Sequence, residues 1–282
     1  MTQEAAIAVT GATGRLGGRV ARRLAAAGTQ QTLLVRDPAR APALPGATPL
    51  PASFGDRDSV RRALRGIDRV LMVSASETPD RVEQHRTFVD AAAEAGIRHL
   101  VYISFFGAAP DATFTLARDH WATEEHIRAS GLDFTFLRDN LYADFMPDLA
   151  GDDGVIRGPG RVGRAAVVAQ DDIADAAVAV LTAAPDHAGA TYDLTGPQAL
   201  TLADVAAVLS EATGRTITYQ PETVDEAYRS RASYGAPDWQ LDAWVSTYTA
   251  IAAGELDGVT DAIPRLTGHA ATSLATVMRA IH

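Results

Sequence analysis

Three glycines spaced three apart, Gly11, Gly14 and Gly17, follow the short apolar run Ile7, Ala8, Val9. They lead into Leu16, Val20 and Leu24, spaced four apart as on one face of a helix. A strand, a glycine turn and a helix in this order let backbone N–H groups approach a pyrophosphate and leave it at the positive end of the helix. Glycines also close ordinary turns. Here, however, the motif follows a strand, opens a helix that Gly28 closes, and precedes a second strand at 32–35, the setting of a dinucleotide-binding βαβ unit. At the end of that second strand a NAD-selective site carries an acid for the ribose 2′-hydroxyl, whereas this chain places Arg36 first, then Asp37 and Pro38. Arginine suits a 2′-phosphate, so NADP(H) is the predicted cofactor, with Asp37 still able to reach the ribose.

What is missing narrows the chemistry further. All 25 basic residues are arginine, and cysteine is absent. A P-loop needs its lysine, a Schiff base needs an amine, and the Tyr-x-x-x-Lys pair of short-chain dehydrogenases needs a lysine beside the tyrosine. None of these operates here in its usual form. There is no disulfide, thiolate nucleophile or Cys-ligated metal site, and no metal is predicted.

The elements that must carry the glycine turn follow in chain order. A third strand at 48–52 ends in Ser53 and Phe54, and Asp56 is placed to cap a short helix reaching Gly66. Phe54 is suited equally to facing the adenine or to burial under that helix. The fourth strand, Arg69–Val73, ends in Ser74, Ala75, Ser76 and Glu77, at the carboxyl edge where doubly wound sheets bind ligands. A helix at 80–95 turns Val82, Phe88, Val89 and Ala92 to the sheet and leaves His85 and Arg86 open between packing and cofactor roles. A fifth strand at 100–104 runs into Phe105 and Phe106; a helix at 118–129 and a strand at 134–137 come next. Segment 151–163 reads as a connection and 162–168 as extended chain. Asp171 is placed to cap a helix packed through Ile173, Ala177, Val180 and Leu181, and Ala190–Leu194 reads as a strand. Thr201 with Asp204 resembles a capping box for a helix closed by Gly214; a strand at 216–219 and a mainly helical remainder end the chain. Its last apolar stripe, Leu274, Val277, Met278 and Ile281, suits core or a dimer contact, and a homodimer stays open on that ground.

With 282 residues, 47% of them hydrophobic, the chain can bury a large core. The first strand begins within seven residues, which leaves no room for a basic-plus-apolar signal, and no apolar run reaches the roughly 18 residues of a membrane helix. A cytoplasmic protein is expected. The formal charge of −10 speaks against nonspecific nucleic-acid binding, which rests on cations neutralising phosphates.

Taken together, VTGATGRLGG, LLVRDPAR, VSASE followed by QHR, HLVYISFF, HWATEEHIRASGLDFTFLRDNLYADF and YDLTGP leading into TLADVAAVLSEATGR resemble one family. This is the NmrA-like atypical short-chain dehydrogenases, and within it the bacterial type 2 NAD(P)H:quinone oxidoreductases and triphenylmethane reductases. The resemblance weakens only after about Glu222. It implies an α/β fold: a Rossmann-like doubly wound parallel sheet over 1–140 that binds NADPH. A smaller, mainly helical C-terminal domain over 141–282 follows, with segments near 162–200 returning to the first and substrate between the two. By the same resemblance Gly11, Thr13, Gly14, Arg15, Leu16 and Gly17 hold the pyrophosphate, Arg36 addresses the 2′-phosphate, and Ser74, Ala75, Ser76 and Glu77 line the ribose side. Ser104, where classical relatives keep a catalytic serine, joins Phe105 and Phe106 on the cofactor side. The Tyr-x-x-x-Lys slot holds His120 and Glu124. Ser53, where an acid is common, and Asp139, where asparagine is usual, depart from the pattern.

The function expected is hydride transfer from NADPH to a small conjugated acceptor such as a quinone, dye or enone, with the protein placing nicotinamide against acceptor and excluding water. A quinone can take its proton from water or a weak donor, so loss of the Tyr-Lys pair matters less than in ketone reduction. His120, taken to have a pKa near neutrality, and Tyr142 are the proton-donor candidates. Phe106, Trp121, Tyr142, Phe145 and Met146 are the candidates for a flat aromatic substrate pocket. The alternative is an NADP(H)-binding redox sensor without turnover.

Overall fold

The computed structural model describes residues 6–281. In chain order the elements are β1 (Ile7–Thr10), α1 (Arg15–Ala26), β2 (Gln31–Val35), β3 (Ala47–Pro51), α2 (Arg57–Ala63), β4 (Arg69–Val73), α3 (Arg81–Ala95), β5 (His99–Phe105), α4 (Thr115–Ala129), β6 (Asp133–Asp139), β7 (Val155–Gly158), β8 (Arg164–Ala165), α5 (Gln170–Thr182), β9 (Ala190–Leu194), β10 (Leu200–Thr201), α6 (Leu202–Thr213), β11 (Thr218–Pro221), α7 (Val224–Arg231), α8 (Asp238–Ala253), α9 (Ala262–Thr267) and α10 (Leu274–Ile281). They form two compact units. One runs to Ser104 and takes up Asp119–Arg138 and Ile173–Tyr192; the other comprises Phe105–Arg118, Asp139–Asp172 and the chain from Asp193.

The sheet has seven strands in the order β3-β2-β1-β4-β5-β6-β9, and β3–β2, β2–β1, β1–β4 and β4–β5 pair in parallel. The order 3-2-1-4-5-6 is that of the doubly wound Rossmann-like fold, so the predicted fold class holds. Central strands buried on both sides read as continuous apolar runs rather than alternating ones. All four residues of β1 and all seven of β5 are buried, and the spacing of Leu16, Val20 and Leu24 presses α1 onto the sheet, each at most 5% exposed. Each such fully buried leucine or valine contributes about 2 kcal/mol. Phe88, Val89 and Ala92 of α3 are buried as their periodicity predicts; Val82 is only half-buried, and Arg81 and His85 are buried in its stead.

In the second unit β7 pairs in parallel with β11, and β8 pairs antiparallel with β10. The predicted capping box is present: Thr201 accepts from the Asp204 N–H and Asp204 accepts from the Thr201 N–H, while Gly214 closes α6 in the left-handed conformation. A second box, Thr223 with Glu226, starts α7. Three expectations need correction. Segment 151–163 contains β7, because pairing with β11 supplies hydrogen bonds that its own composition does not suggest. The strand expected at 216–219 begins two residues later for the same reason. Asp171 lies inside the first turn of α5; the N–H of Gln170 donates to Asp144 Oδ2 at 2.9 Å, so the cap comes from a distant segment. Of the final stripe, Leu274, Val277 and Met278 are buried but Ile281 is 53% exposed.

Candidate functional site

A cavity of about 770 Å³ in the first unit is lined by Gly11, Thr13, Gly14, Arg15, Leu16 and Gly17 of the glycine turn, by Arg36 and Arg40, by Ser53 and Phe54, and by Ser74, Ala75, Ser76 and Thr78. The turn's geometry has one cause. A Cβ on Gly17 would stand 2.5 Å from the carbonyl oxygens of both Thr10 and Gly11, so α1 meets the end of β1 with no room for a side chain. Gly11 has φ +66°, a left-handed conformation that glycine adopts without strain. Gly14 is the N-cap of α1; no side chain caps that end, and no acid stands in its first turn. A helix end that no side chain caps, its positive dipole and a wall without a Cβ together fit a pyrophosphate.

At the far end of β2, Asp37 Oδ1 accepts from the Ala39 N–H at 3.0 Å and caps the short 3-10 turn Pro38–Arg40. Asp37 is not part of the cavity lining, whereas Arg36 and Arg40 are, and Arg40 was not singled out from the sequence. Phe54 is half-buried: its ring stacks on Phe88 of α3 with centroids 4.6 Å apart and also lines the cavity. Glu77 lies outside the lining.

The slot carrying His120 and Glu124 is buried, and both side chains are engaged in hydrogen bonds. Glu124 is 0% exposed; its Oε1 accepts from Ser104 Oγ at 2.6 Å and Arg138 Nε at 2.8 Å, and its Oε2 from Arg138 Nη2 at 2.6 Å and Arg128 Nη2 at 3.1 Å. The hydroxyl of Ser104 is thus given to a carboxylate. His120 is 7% exposed, with Nε2 3.0 Å from Arg81 Nη2 and Nδ1 2.9 Å from Tyr102 Oη. Burial, and then the charge of Arg81, hold its pKa well below the ordinary histidine value, which corrects the expectation of a pKa near neutrality. His85, open between packing and cofactor roles in the sequence, is fully buried, and burial with the Arg81 charge lowers its pKa to about 3.

Such a histidine makes folding acid-sensitive. The unfolded chain takes up a proton near pH 6.5 that native His85 refuses until about pH 3, so this contribution is intact above pH 6.5 and falls as pH drops below it. Between about pH 7.5 and pH 5 the loss due to His85 is about 2 kcal/mol. Urea unfolding at both pH values should show His85→Gln losing less stability than the unmodified chain by about that amount. An identical pH dependence in the two proteins would refute the assignment.

A second cavity, about 730 Å³, lies wholly within the second unit. Its wall includes Tyr142, Phe145 and Met146 of the predicted substrate residues, together with Leu141, Val167, Tyr234, Trp244, Tyr248 and Arg231. Tyr142 and Phe145 meet edge to face with centroids 5.4 Å apart, and Tyr142 Oη donates to Asp139 Oδ2 at 2.7 Å. Arg231 is paired with Glu222 at 3.1 Å, and its guanidinium carbon lies 5.0 Å from the Tyr248 ring centroid. Phe106 and Trp121 are not in the wall. The Phe106 ring packs on the apolar core of its unit, and the Trp121 ring has Arg128 at 5.5 Å from its centroid. The Phe105 side chain is also taken up by that core, edge to face with Phe114 at 5.0 Å. Tyr234, Trp244 and Tyr248 were missed because they lie in the helical remainder where no motif marks them; the only signal was four aromatics, Trp239 included, within fifteen residues.

Residues 11–184 match the family model described as NAD(P)H-binding. Quinone oxidoreductase 2 of Escherichia coli is 34% identical over 276 residues, covering 95% of this chain and 96% of the relative. The crystal structure of the NADPH-dependent quinone oxidoreductase from Escherichia coli complexed with NADPH superposes with a TM-score of 0.89 at 33% identity, covering 98% of this chain and 99% of the other. That of the Citrobacter sp. triphenylmethane reductase complexed with NADP(H) gives 0.87 at 30% identity, covering 98% and 100%. A glycine turn with a bare helix end, two arginines at the far wall of the same cavity, and relatives alike over almost their whole length agree: the chain belongs to the NAD(P)H-binding family.

Proposed function

We propose that this protein is an NADPH-dependent reductase that passes hydride to a small conjugated acceptor, a quinone, dye or enone-like compound. The observation that carries the reading is the pair of built cavities. One has a helix N-terminus without a side-chain cap and two arginines, and the other is walled by aromatic side chains, among them Tyr142, whose phenol donates to the Asp139 carboxylate. When bound, NADPH supplies the hydride from nicotinamide C4. The glycine turn holds the pyrophosphate, Arg36 and Arg40 take the 2′-phosphate, and Ser53, Phe54, Ser74, Ala75 and Ser76 line the rest. Tyr142, Phe145 and Met146, with Tyr234, Trp244 and Tyr248, grip a flat ring system and exclude water. Tyr142 is the proton donor as charge builds on the acceptor, its hydroxyl turning from Asp139 to the acceptor oxygen to do so; His120, buried and neutral, supports the fold of the slot. The reading carries a cytoplasmic location and, at a formal charge of −10, no nucleic-acid partner. Among the described residues no helix is long and apolar enough to cross a membrane.

The test is steady NADPH oxidation with a panel of quinones, dyes and enones. Turnover is expected, and Tyr142→Phe should lower it about 10- to 100-fold. NADPH binding with no turnover on any acceptor would favour the redox sensor. The 2′-phosphate assignment has its own test. NADPH should bind at least about tenfold more tightly than NADH, a difference of about 1.4 kcal/mol, and Arg36→Ala should remove most of it. A variant that keeps the preference would move the role to Arg40.

A further inference from the structure

Ser74, Ala75 and Ser76 follow β4 and line the cofactor cavity, yet their small side chains offer little to anchor them. Both peptide groups of Ala75 are instead held by side chains of α3. Its N–H donates to His85 Nε2 at 2.9 Å, and its carbonyl accepts from Arg81 Nε at 3.1 Å. His85 is 0% and Arg81 4% exposed. The roles in the surrounding chain follow from donor logic. A guanidinium only donates, so His120 Nε2 accepts from Arg81 and the His120 proton sits on Nδ1, facing Tyr102 Oη. His85 Nε2 likewise accepts, so its proton sits on Nδ1, facing Thr123 Oγ1 at 2.9 Å, and the Thr123 hydroxyl passes on to the Asp119 carbonyl at 2.8 Å. Two hydrogen-bonded chains therefore run from Ala75 into the interior, one through Arg81, His120 and Tyr102, the other through His85 and Thr123.

We propose that Arg81 and His85 are positioning residues that clamp the loop at Ala75 in its cofactor-receiving form, and that His120, in the slot of the usual tyrosine, is the buried support of Arg81. This rests on the NAD(P)H-binding reading above. A loop with no apolar anchor samples several conformations, and the apparent dissociation constant of a ligand rises by the inverse of the receiving fraction. Burying a guanidinium to grip one carbonyl is costly unless its other donors are engaged: His120 Nε2 takes Nη2, while Nη1 makes no hydrogen bond and has the Asp119 carboxylate 3.6 Å away. The lone pairs that do the gripping are present because both imidazoles are neutral. Burial, with Arg81 alongside, lowers the pKa of each.

The test compares NADPH titrations and steady-state constants for the unmodified chain, His85→Ala, Arg81→Met and His85→Gln. Glutamine can accept from Ala75 through Oε1 and donate to Thr123 through Nε2. His85→Ala and Arg81→Met should raise the NADPH Kd about tenfold and KM in step, with a smaller change in kcat, while His85→Gln stays within about threefold. Folded variants with an unchanged Kd would overturn the clamp, and so would a glutamine variant as weak as the alanine one. If neither of the first two variants folds, hydrogen exchange in the unmodified chain decides. The Ala75 amide should be protected without cofactor, and exchange as fast as in an open loop would overturn the proposal. An unmodified chain that binds no NADPH would overturn the parent reading, whereas unchanged variants overturn only the clamp.

Discussion

Gly14→Val should abolish NADPH binding, with affinity falling by at least about 100-fold, or about 2.7 kcal/mol, while the protein still folds. Gly14 has φ −94° and ψ −178°, extended backbone that a valine adopts, and a Cβ there meets one atom, the Gly11 carbonyl oxygen at 3.2 Å, which has to give by a few tenths of an ångström. The added methyls would therefore point into the cavity, where the pyrophosphate has to reach the N–H groups at the start of α1. Gly17 makes the contrasting case. A Cβ there meets two backbone oxygens at 2.5 Å, so Gly17→Val should lose the fold along with the cofactor. Fluorescence titration with NADPH, paired with thermal melts with and without it, separates the two. A Gly14→Val protein that NADPH still stabilises against heat would refute the pyrophosphate assignment.

Glu124→Ala should cost about 3 to 5 kcal/mol of stability, because it takes from Arg138 and Arg128 the buried carboxylate they share, Arg128 keeping only Glu125 at the surface, and leaves Ser104 without its acceptor inside the fold. The carboxylate is fully buried, while Arg138 is 17% and Arg128 34% exposed at the side chain, so the partners are only partly able to turn to water. A melting point about 10 °C lower is the expected reading. Glu124→Gln keeps an acceptor for Ser104 and should fall between the two. Loss of turnover in Glu124→Gln at full thermal stability would instead return Glu124 to the chemistry.

Residues 120 and 124 illustrate how far sequence goes. Their i, i+4 spacing put both on one helical face, and the absence of lysine excluded the usual dyad, but neither fact says what replaced it. Two identical spacings led to different fates: Glu124 went to arginines 4 and 14 residues away, and His120 to Tyr102 and Arg81, 18 and 39 residues away. A histidine's pKa depends on burial and on neighbouring charge, and both are set by partners brought together only on folding. The same holds for the cap of α5, where Asp171 was the local candidate and Asp144, 26 residues from Gln170, does the work.

The sheet, the glycine turn, the arginine at the end of β2 and the box at Thr201 were legible because each is local. Apolar run length, helical spacing and capping chemistry act over a few residues, so they are written in order along the chain. Family membership was legible for a related reason, since many such short signals recur in one order. The second cavity belongs to tertiary structure, because its wall takes residues from 141 to 251, and aromatics such as Trp244 and Tyr248 carry no local sign of which side of a helix will face a void. The grip of Arg81 and His85 on Ala75 was likewise decided only by folding. A hydrogen bond from a helix side chain to a peptide group in another segment depends on how α3 is set against β4, and no spacing in the sequence encodes that distance.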